Sequence, residues 1–323
     1  MVNLQMRIGS LTLANPVLVA AGTFGYGLEF ARAVRLDRLG ALVTKTLTRS
    51  PREGHPPPRL VETPSGMLNA VGLQNIGLDA FLGEKLPALR TIRATVIVSI
   101  LGDSTEDVAA MASALDRADG VAAIELNLSC PNIKRSAEFG MRNSESFRTP
   151  NSEFPTPMIA QDAEATFDIV QAARGATKKP LIAKLSPDVT DLAPIAQAAE
   201  RAGADALSLV NTFRGMSLDP ATRRSRLGTV TGGLSGPAIR PLAVYRVWYT
   251  AQTVRIPVIG LGGIVRAEDA LEFFLAGASA VAVGTANFAN PQTPLRVLQG
   301  LERYLQRHRL NSLNDLRGAV AHA

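Results

Sequence analysis

The sequence predicts an α/β chain closed as a single (β/α)8 barrel of the TIM type, and three observations predict it. Eight short apolar runs recur along the chain, each partly β-branched. Amphipathic helical stretches follow most of them. Glycines, hydroxyls, amides and lysines gather where the runs end, which is where barrels of this kind carry their chemistry. A strand buried on both faces reads as continuous apolar sequence, the mark of a parallel strand. An open doubly wound sheet is the alternative fold.

The expected strands are Pro16–Ala21, Ala41–Thr46, Thr95–Leu101, Ala122–Leu128, Leu181–Leu185, Ala206–Asn211, Pro257–Leu261 and Ala280–Gly284. The expected helices are Thr105–Ala118, Ala163–Arg174, Leu192–Arg201, Ala238–Thr253, Ala267–Ala276 and Pro294–Arg307. Asp103/Ser104, Thr190/Asp191 and Ser235 offer N-cap oxygens near several helix starts. Gly203 and Gly277 fall where helices end in a left-handed residue. No Pro/Gly/Ser-rich linker divides the chain, so residues 1–323 are expected to form one domain. A short N-terminal extension precedes the first strand. Two long segments, Thr48–Gly77 and Lys134–Gln161, leave strand ends and are expected to lie over the C-terminal face as loops.

Composition narrows the function. Hydrophobic content of 46% and charged content of 19% are those of an ordinary globular chain. The single cysteine, Cys130, excludes an internal disulfide and suits a reducing compartment. The N-terminus lacks the apolar core of a signal peptide, and no apolar run is long enough to span a membrane. A cytoplasmic protein without membrane contact is expected. The net charge of +6 is spread along the chain, its tightest group being Arg223-Arg224-Ser225-Arg226. That scatter argues against nucleic acid as a partner and favours a small anionic substrate or cofactor. His55, His308 and His322 are the only histidines, and none stands at metal-ligand spacing from carboxylates, so no metal site is expected.

The strand ends carry the candidates. The first ends Ala20-Ala21-Gly22-Thr23, small enough for a flat ligand to lie on the backbone. Lys45-Thr46 and Lys184 close the second and fifth, and lysine is seldom buried without a partner. The sixth ends Val210-Asn211-Thr212. Gly262-Gly263 and Gly284-Thr285 follow the last two strands, the usual position of a barrel phosphate site. A lone cysteine is usually a small buried hydrophobe. Cys130 instead follows a buried strand and precedes a proline, within Asn127-Leu-Ser-Cys-Pro-Asn132, and is the candidate base.

These residues resemble the dihydroorotate dehydrogenases, specifically the class 1B catalytic subunit. The likeness rests on Thr63-Pro-Ser-Gly-Met-Leu-Asn-Ala-Val-Gly-Leu-Gln-Asn75, Asn127–Asn132, Lys184-Leu-Ser-Pro187, Asn211-Thr212, Gly232-Gly-Leu-Ser-Gly-Pro237 and the two glycine turns. The resemblance implies oxidation of (S)-dihydroorotate to orotate in pyrimidine biosynthesis, with one FMN per chain. It implies that Cys130 takes the C5 proton while hydride passes from C6 to flavin N5. It implies FMN contacts from Ala21, Lys45, Thr46, Ser99, Asn127, Lys184, Val210, Gly236, Gly262, Gly263, Gly284 and Thr285. Substrate contacts are implied for Lys45, Asn69, Ala70, Val71, Gly72, Leu73, Asn127, Asn211 and Thr212. It further implies a homodimer and a partner subunit carrying FAD and an iron–sulfur cluster, in a heterotetramer that passes electrons to NAD⁺. One cysteine cannot itself hold such a cluster.

The chain departs from the family pattern at Ala21, where serine is usual, and at Ser99, where asparagine is usual. It departs again at Arg135-Ser136, and the 134–161 segment is longer than the family norm. A related pyrimidine substrate, or fumarate as acceptor, is the nearest alternative. A Schiff-base aldolase or lyase with Lys184 or Lys45 as nucleophile is the alternative from another class, and a non-catalytic phosphoribosyl-ligand binder is a third.

Overall fold

The computed structural model describes residues 2–128 and 158–321. Its centre is a closed barrel of eight parallel strands. They are β1 Val17–Val19, β2 Ala41–Val43, β3 Val96–Ile100, β4 Ala123–Asn127, β5 Leu181–Lys184, β6 Ala206–Leu209, β7 Val258–Leu261 and β8 Ala280–Val283. Strands adjacent in the chain are adjacent in the barrel, and β8 closes on β1. All eight expected strands are present. Most stop earlier than the apolar pattern does, by up to three residues in β2, because the last residues leave the ladder to line the barrel mouth.

Alternation along the strands sorts the core into two layers. Leu18, Ile97, Ile182 and Ile259 fill the barrel interior beside the smaller Ala41, Ala123, Ala206 and Ala280. The intervening residues, such as Ile124 and Leu126 of β4, pack outward under the helices. Each fully buried Leu or Ile contributes about 1.5–3 kcal/mol. An antiparallel hairpin, Met6–Ile8 with Leu11–Leu13, seats Ile8 and Leu13 on the interior cluster and plugs the N-terminal end.

The helices follow the sequence closely. Thr105–Asp116 starts at Ser104, whose hydroxyl accepts from the Asp107 N–H as an N-cap should. Asp191 accepts from the Ala193 N–H at the start of Ala193–Arg201. Thr293–Arg307 buries Leu295, Leu298, Leu301 and Leu305, the apolar stripe that drives it onto the barrel. Gly203 and Gly277 both take positive φ where helices end. His308 caps helix Thr293–Arg307 at the surface, its ring tilted against Tyr304 with centroids 4.2 Å apart.

Three features differ from the sequence reading. Residues 78–90 form a helix containing a π turn, which the pattern did not announce because Gly83 and Pro87 interrupt it. Ser235 is no N-cap: it lies in a strand, and its hydroxyl donates to the Met67 carbonyl. Segment 48–77 is not simply loop. Its strands Leu60–Thr63 and Gly66–Asn69 join Gly232–Ser235 and Phe213–Gly215, from the connection after β6, in a four-stranded antiparallel sheet beside the mouth. Cys130, His322 and nearly all of the 134–161 segment lie outside the described residues.

Candidate active site

A cleft of about 1040 Å³, counted out to its open mouth, lies over the C-terminal ends of the barrel strands. Its wall draws on Ala20 and Ala21 after β1, Lys45 and Thr46 after β2, Asn127 of β4 and Lys184 of β5. Val210–Thr212, Gly262–Gly263 and Gly284–Thr285 close the ring, and the sheet adds Asn69, Ser235 and Gly236. Among the described residues, two lysines and no carboxylate line this cleft. Lys184 is only 5% exposed and is held at the cleft floor. The chemistry therefore favours an anion.

A chain of hydrogen bonds fixes the polar side of the cleft. The Thr212 backbone N–H donates to Asn211 Oδ1 at 2.9 Å. A backbone N–H cannot reverse its role, so the other end of the Asn211 amide is the donor, and Nδ2 reaches Asn127 Oδ1 at 3.3 Å. Asn127 Nδ2 in turn donates to Thr46 Oγ1 at 3.1 Å, and Thr46 Oγ1 lies 3.0 Å from Ser99 Oγ. The Ser99 N–H donates to Thr44 Oγ1, which anchors the far end. Both amides thus present a set orientation to whatever occupies the cleft.

The 69–73 segment is braced from behind. Arg59 donates from Nε to the His55 carbonyl at 2.5 Å, from Nη2 to the Glu53 carbonyl and from Nη1 to Gln74 Oε1. His55 N–H donates to the Val71 carbonyl. Asn75 accepts from the Thr48 and Gly77 N–H groups and donates to Thr48 Oγ1. Leu73 sits at φ 56°, a left-handed backbone that a branched side chain adopts only when its surroundings impose it.

The glycines at the other end form a cradle. Gly263 has φ +72°, and a Cβ there would lie 2.8 Å from the Gly236 carbonyl oxygen. A Cβ on Gly284 would project against cleft-lining atoms, 3.6 Å from Ala20 Cβ. Close backbone approach by a phosphate needs such bare positions.

Of the residues expected at the site, Ala21, Lys45, Thr46, Asn69, Val71, Gly72, Leu73, Asn127, Lys184, Val210, Asn211, Thr212, Gly236, Gly262, Gly263, Gly284 and Thr285 all line the cleft. Two expected contacts do not. Ser99 is fully buried and reaches the cleft only through Thr46, its side chain being too short to pass it. Ala70 is buried facing Leu68 and Leu227, since alternation along the segment turns it away. Leu60, Met67, Ile239 and Phe288 line the cleft without having been expected. Leu60 and Phe288 are exposed apolar residues on the rim, a signal the sequence alone could not separate from core. Among the described residues no group of three metal-ligating side chains occurs, and no helix is long and apolar enough to cross a membrane.

Residues 3–305 match the family model described as dihydroorotate dehydrogenase. This chain belongs to the dihydroorotate dehydrogenase family. It is thereby an oxidoreductase of a flavoprotein family built on this barrel. Among curated relatives, it is 48% identical over 318 residues to the dihydroorotate dehydrogenase B (NAD(+)) catalytic subunit of Desulforamulus reducens, covering 98% of both chains. The proteins of the same description from Geotalea uraniireducens and Geobacter sulfurreducens are each 47% identical over 318 residues, with 98% of both chains covered.

Proposed function

We propose that this chain is the FMN-binding catalytic subunit of a class 1B dihydroorotate dehydrogenase, oxidising (S)-dihydroorotate to orotate in pyrimidine biosynthesis. The observation that carries the reading is the cleft itself: two lysines, no described carboxylate, an oriented amide pair and a glycine cradle on one rim. The residues suit FMN. Bare backbone at Gly236, Gly262, Gly263 and Gly284 leaves room for the phosphate, with Thr285 adding a hydroxyl. Ala20 and Ala21 give a flat apolar rest for a ring system, and Lys184 on the floor offsets negative charge on its pyrimidine edge.

FMN, when bound, supplies the two-electron acceptor. The protein's share is binding, orientation and proton removal. Lys45 offsets the substrate carboxylate. Asn127, Asn211 and Thr212 pair with the planar amide edges of the substrate, with Asn69 and the 70–73 segment completing its walls. Ser99 acts through Thr46, and Ala70 through the backbone of its neighbours. Cys130 follows β4 by three residues in the chain and takes the C5 proton on Sγ, which requires a thiolate or a nearby acceptor for the proton.

The relatives' description as an NAD(+) catalytic subunit supports a partner subunit and NAD⁺ as acceptor; FAD and an iron–sulfur cluster on that partner are what the class 1B resemblance implies. A homodimer within a cytoplasmic heterotetramer is the assembly we infer.

The test is anaerobic stopped-flow mixing of the purified yellow protein with L-dihydroorotate. Bleaching of the flavin band is expected, and Cys130→Ala should keep FMN while losing most of that reduction. A protein that carries flavin yet is not bleached by dihydroorotate would overturn the substrate. Unchanged single-turnover reduction in Cys130→Ala would overturn the base. Reoxidation by NAD⁺ only with the partner subunit present is expected; equal reoxidation by fumarate without it would move the acceptor assignment.

A further inference from the structure

The eight barrel strands carry two charged residues between them, Glu125 on β4 and Lys184 on β5. They are of opposite sign, lie on adjacent strands and are both buried, Glu125 at 3% and Lys184 at 5% exposure. They also share a face. Ala123, Glu125 and Asn127 alternate on β4, with Ala123 in the interior cluster and Asn127 at the cleft. Ile182 and Lys184 do the same on β5. The register pairs Asn127 with Lys184 and Glu125 with Ile182. Glu125 therefore stands one step below the cleft floor, diagonal to Lys184. Long side chains reach across such a diagonal.

Among the described residues this carboxylate makes no direct ion pair, and its buried Oε1 accepts no hydrogen bond, a costly condition for such a group. The other flanking strand, β3, places Ser99 opposite it, and the Ser99 hydroxyl is engaged with Thr46. A lone buried charge of either sign is strongly unfavourable, whereas two opposite charges on neighbouring strands offset one another.

We propose that Glu125 is the counter-charge of Lys184, acting across the strand diagonal without a direct ion pair, and that it lowers the reduction potential of the bound flavin. The potential part rests on the FMN reading above; the pairing of the two charges does not. With Glu125 neutralised, the lysine's positive charge stands unbalanced beneath the cleft and favours the reduced, negatively charged flavin.

The test is a double-mutant cycle on the full chain with Glu125→Gln, Lys184→Gln and the double variant. Two quantities are read, the urea unfolding midpoint and the midpoint potential of bound FMN. Each single variant should lose stability, and the double variant should recover it, giving a coupling of at least tenfold in the unfolding constant. Glu125→Gln should raise the flavin potential by at least a tenfold change in the redox equilibrium, about 30 mV for two electrons. Additive unfolding effects would overturn the pairing. A parental potential in folded, flavin-loaded Glu125→Gln would overturn the redox role. If Glu125→Gln alone does not fold, the double variant decides: a folded double variant supports the pairing, and an unfolded one beside a folded Lys184→Gln overturns it. Failure to bind any flavin, with the unfolding cycle still coupled, would count against the FMN reading and leave the charge pair standing.

Discussion

Gly263 and Gly284 occupy matching positions after β7 and β8, yet an alanine at each should act differently. At Gly263 the backbone is left-handed, φ +72°, which costs a residue with a Cβ about 1–2 kcal/mol. The added carbon would also lie 2.8 Å from both the Gly236 oxygen and Arg240 Cβ. Forcing a methyl into so tight a place costs about 1–3 kcal/mol more. Gly263→Ala should therefore lose about 2–5 kcal/mol, which lowers the melting temperature by about 3–7 °C in a domain of this size. At Gly284 the added carbon meets only ordinary contacts, 3.6 Å to Ala20 Cβ and 3.8 Å to Thr23 Cγ2. Gly284→Ala should change flavin-free stability by less than about 1 kcal/mol. Both methyls obstruct the phosphate approach, so both variants should bind FMN at least tenfold more weakly, about 1.4 kcal/mol. Thermal melts of flavin-free protein and FMN titrations followed by fluorescence quenching read the two effects separately. Equal melting shifts in the two variants would refute the strain argument. Parental FMN affinity in Gly284→Ala would refute the cradle.

Three further outcomes are expected. Ser99→Ala removes the buried partner of Thr46 and should cost about 1 kcal/mol, with a raised KM for dihydroorotate as the Asn127 amide loses its anchor; an unchanged KM would separate Ser99 from the relay. Arg59→Met should raise KM while leaving FMN affinity alone, because one of its hydrogen bonds reaches Gln74 and two fix residues 53–55 behind the 69–74 segment, none touching the cradle; loss of flavin instead would misplace that segment. Burial raises the Asp188 carboxyl above the usual carboxylate range, against the Arg214 N–H it accepts from. A raised folded value means that the stability this group lends is present in acid and is lost as pH rises through that value. The advantage of the parent over Asp188→Asn in urea melts should thus shrink from pH 4 to pH 7, and a constant difference would refute it.

The barrel was legible because each of its strands is buried on both faces, leaving unbroken apolar runs with polar exits. The lining was legible for the same reason: an apolar run that exits at Lys45, Asn127 or Lys184 has nowhere to put that residue but the mouth. What stayed hidden depends on contacts distant in sequence. The Leu60–Asn69 hairpin exists as a strand pair because Gly232–Ser235, more than 160 residues away, offers its edge. Helix 78–90 passes over a glycine and a proline because tertiary packing of Phe81, Leu86 and Leu89 outweighs local propensity. Ser235 had the composition of a cap, but its strand was already claimed by that sheet.

The Ser99 departure shows how far a strand-end residue acts when it no longer reaches the cleft. An asparagine there could extend toward a ligand, whereas serine stops at Thr46. Its influence is then one of direction. The relay has a backbone donor at one end, the Thr212 N–H, which cannot exchange donor for acceptor. From there the Asn211 and Asn127 amides are set, and the hydroxyls of Thr46 and Ser99 share the remaining proton positions. A ligand arriving in the cleft thus meets amides whose flips are already decided, and spends little of its binding energy on ordering them. Two strand ends contribute the amides and a third the hydroxyl, so no single loop movement can reverse the pattern. That is a reason for the chain to tolerate change at position 99 while holding Thr46, Asn127 and Asn211 in one connected row.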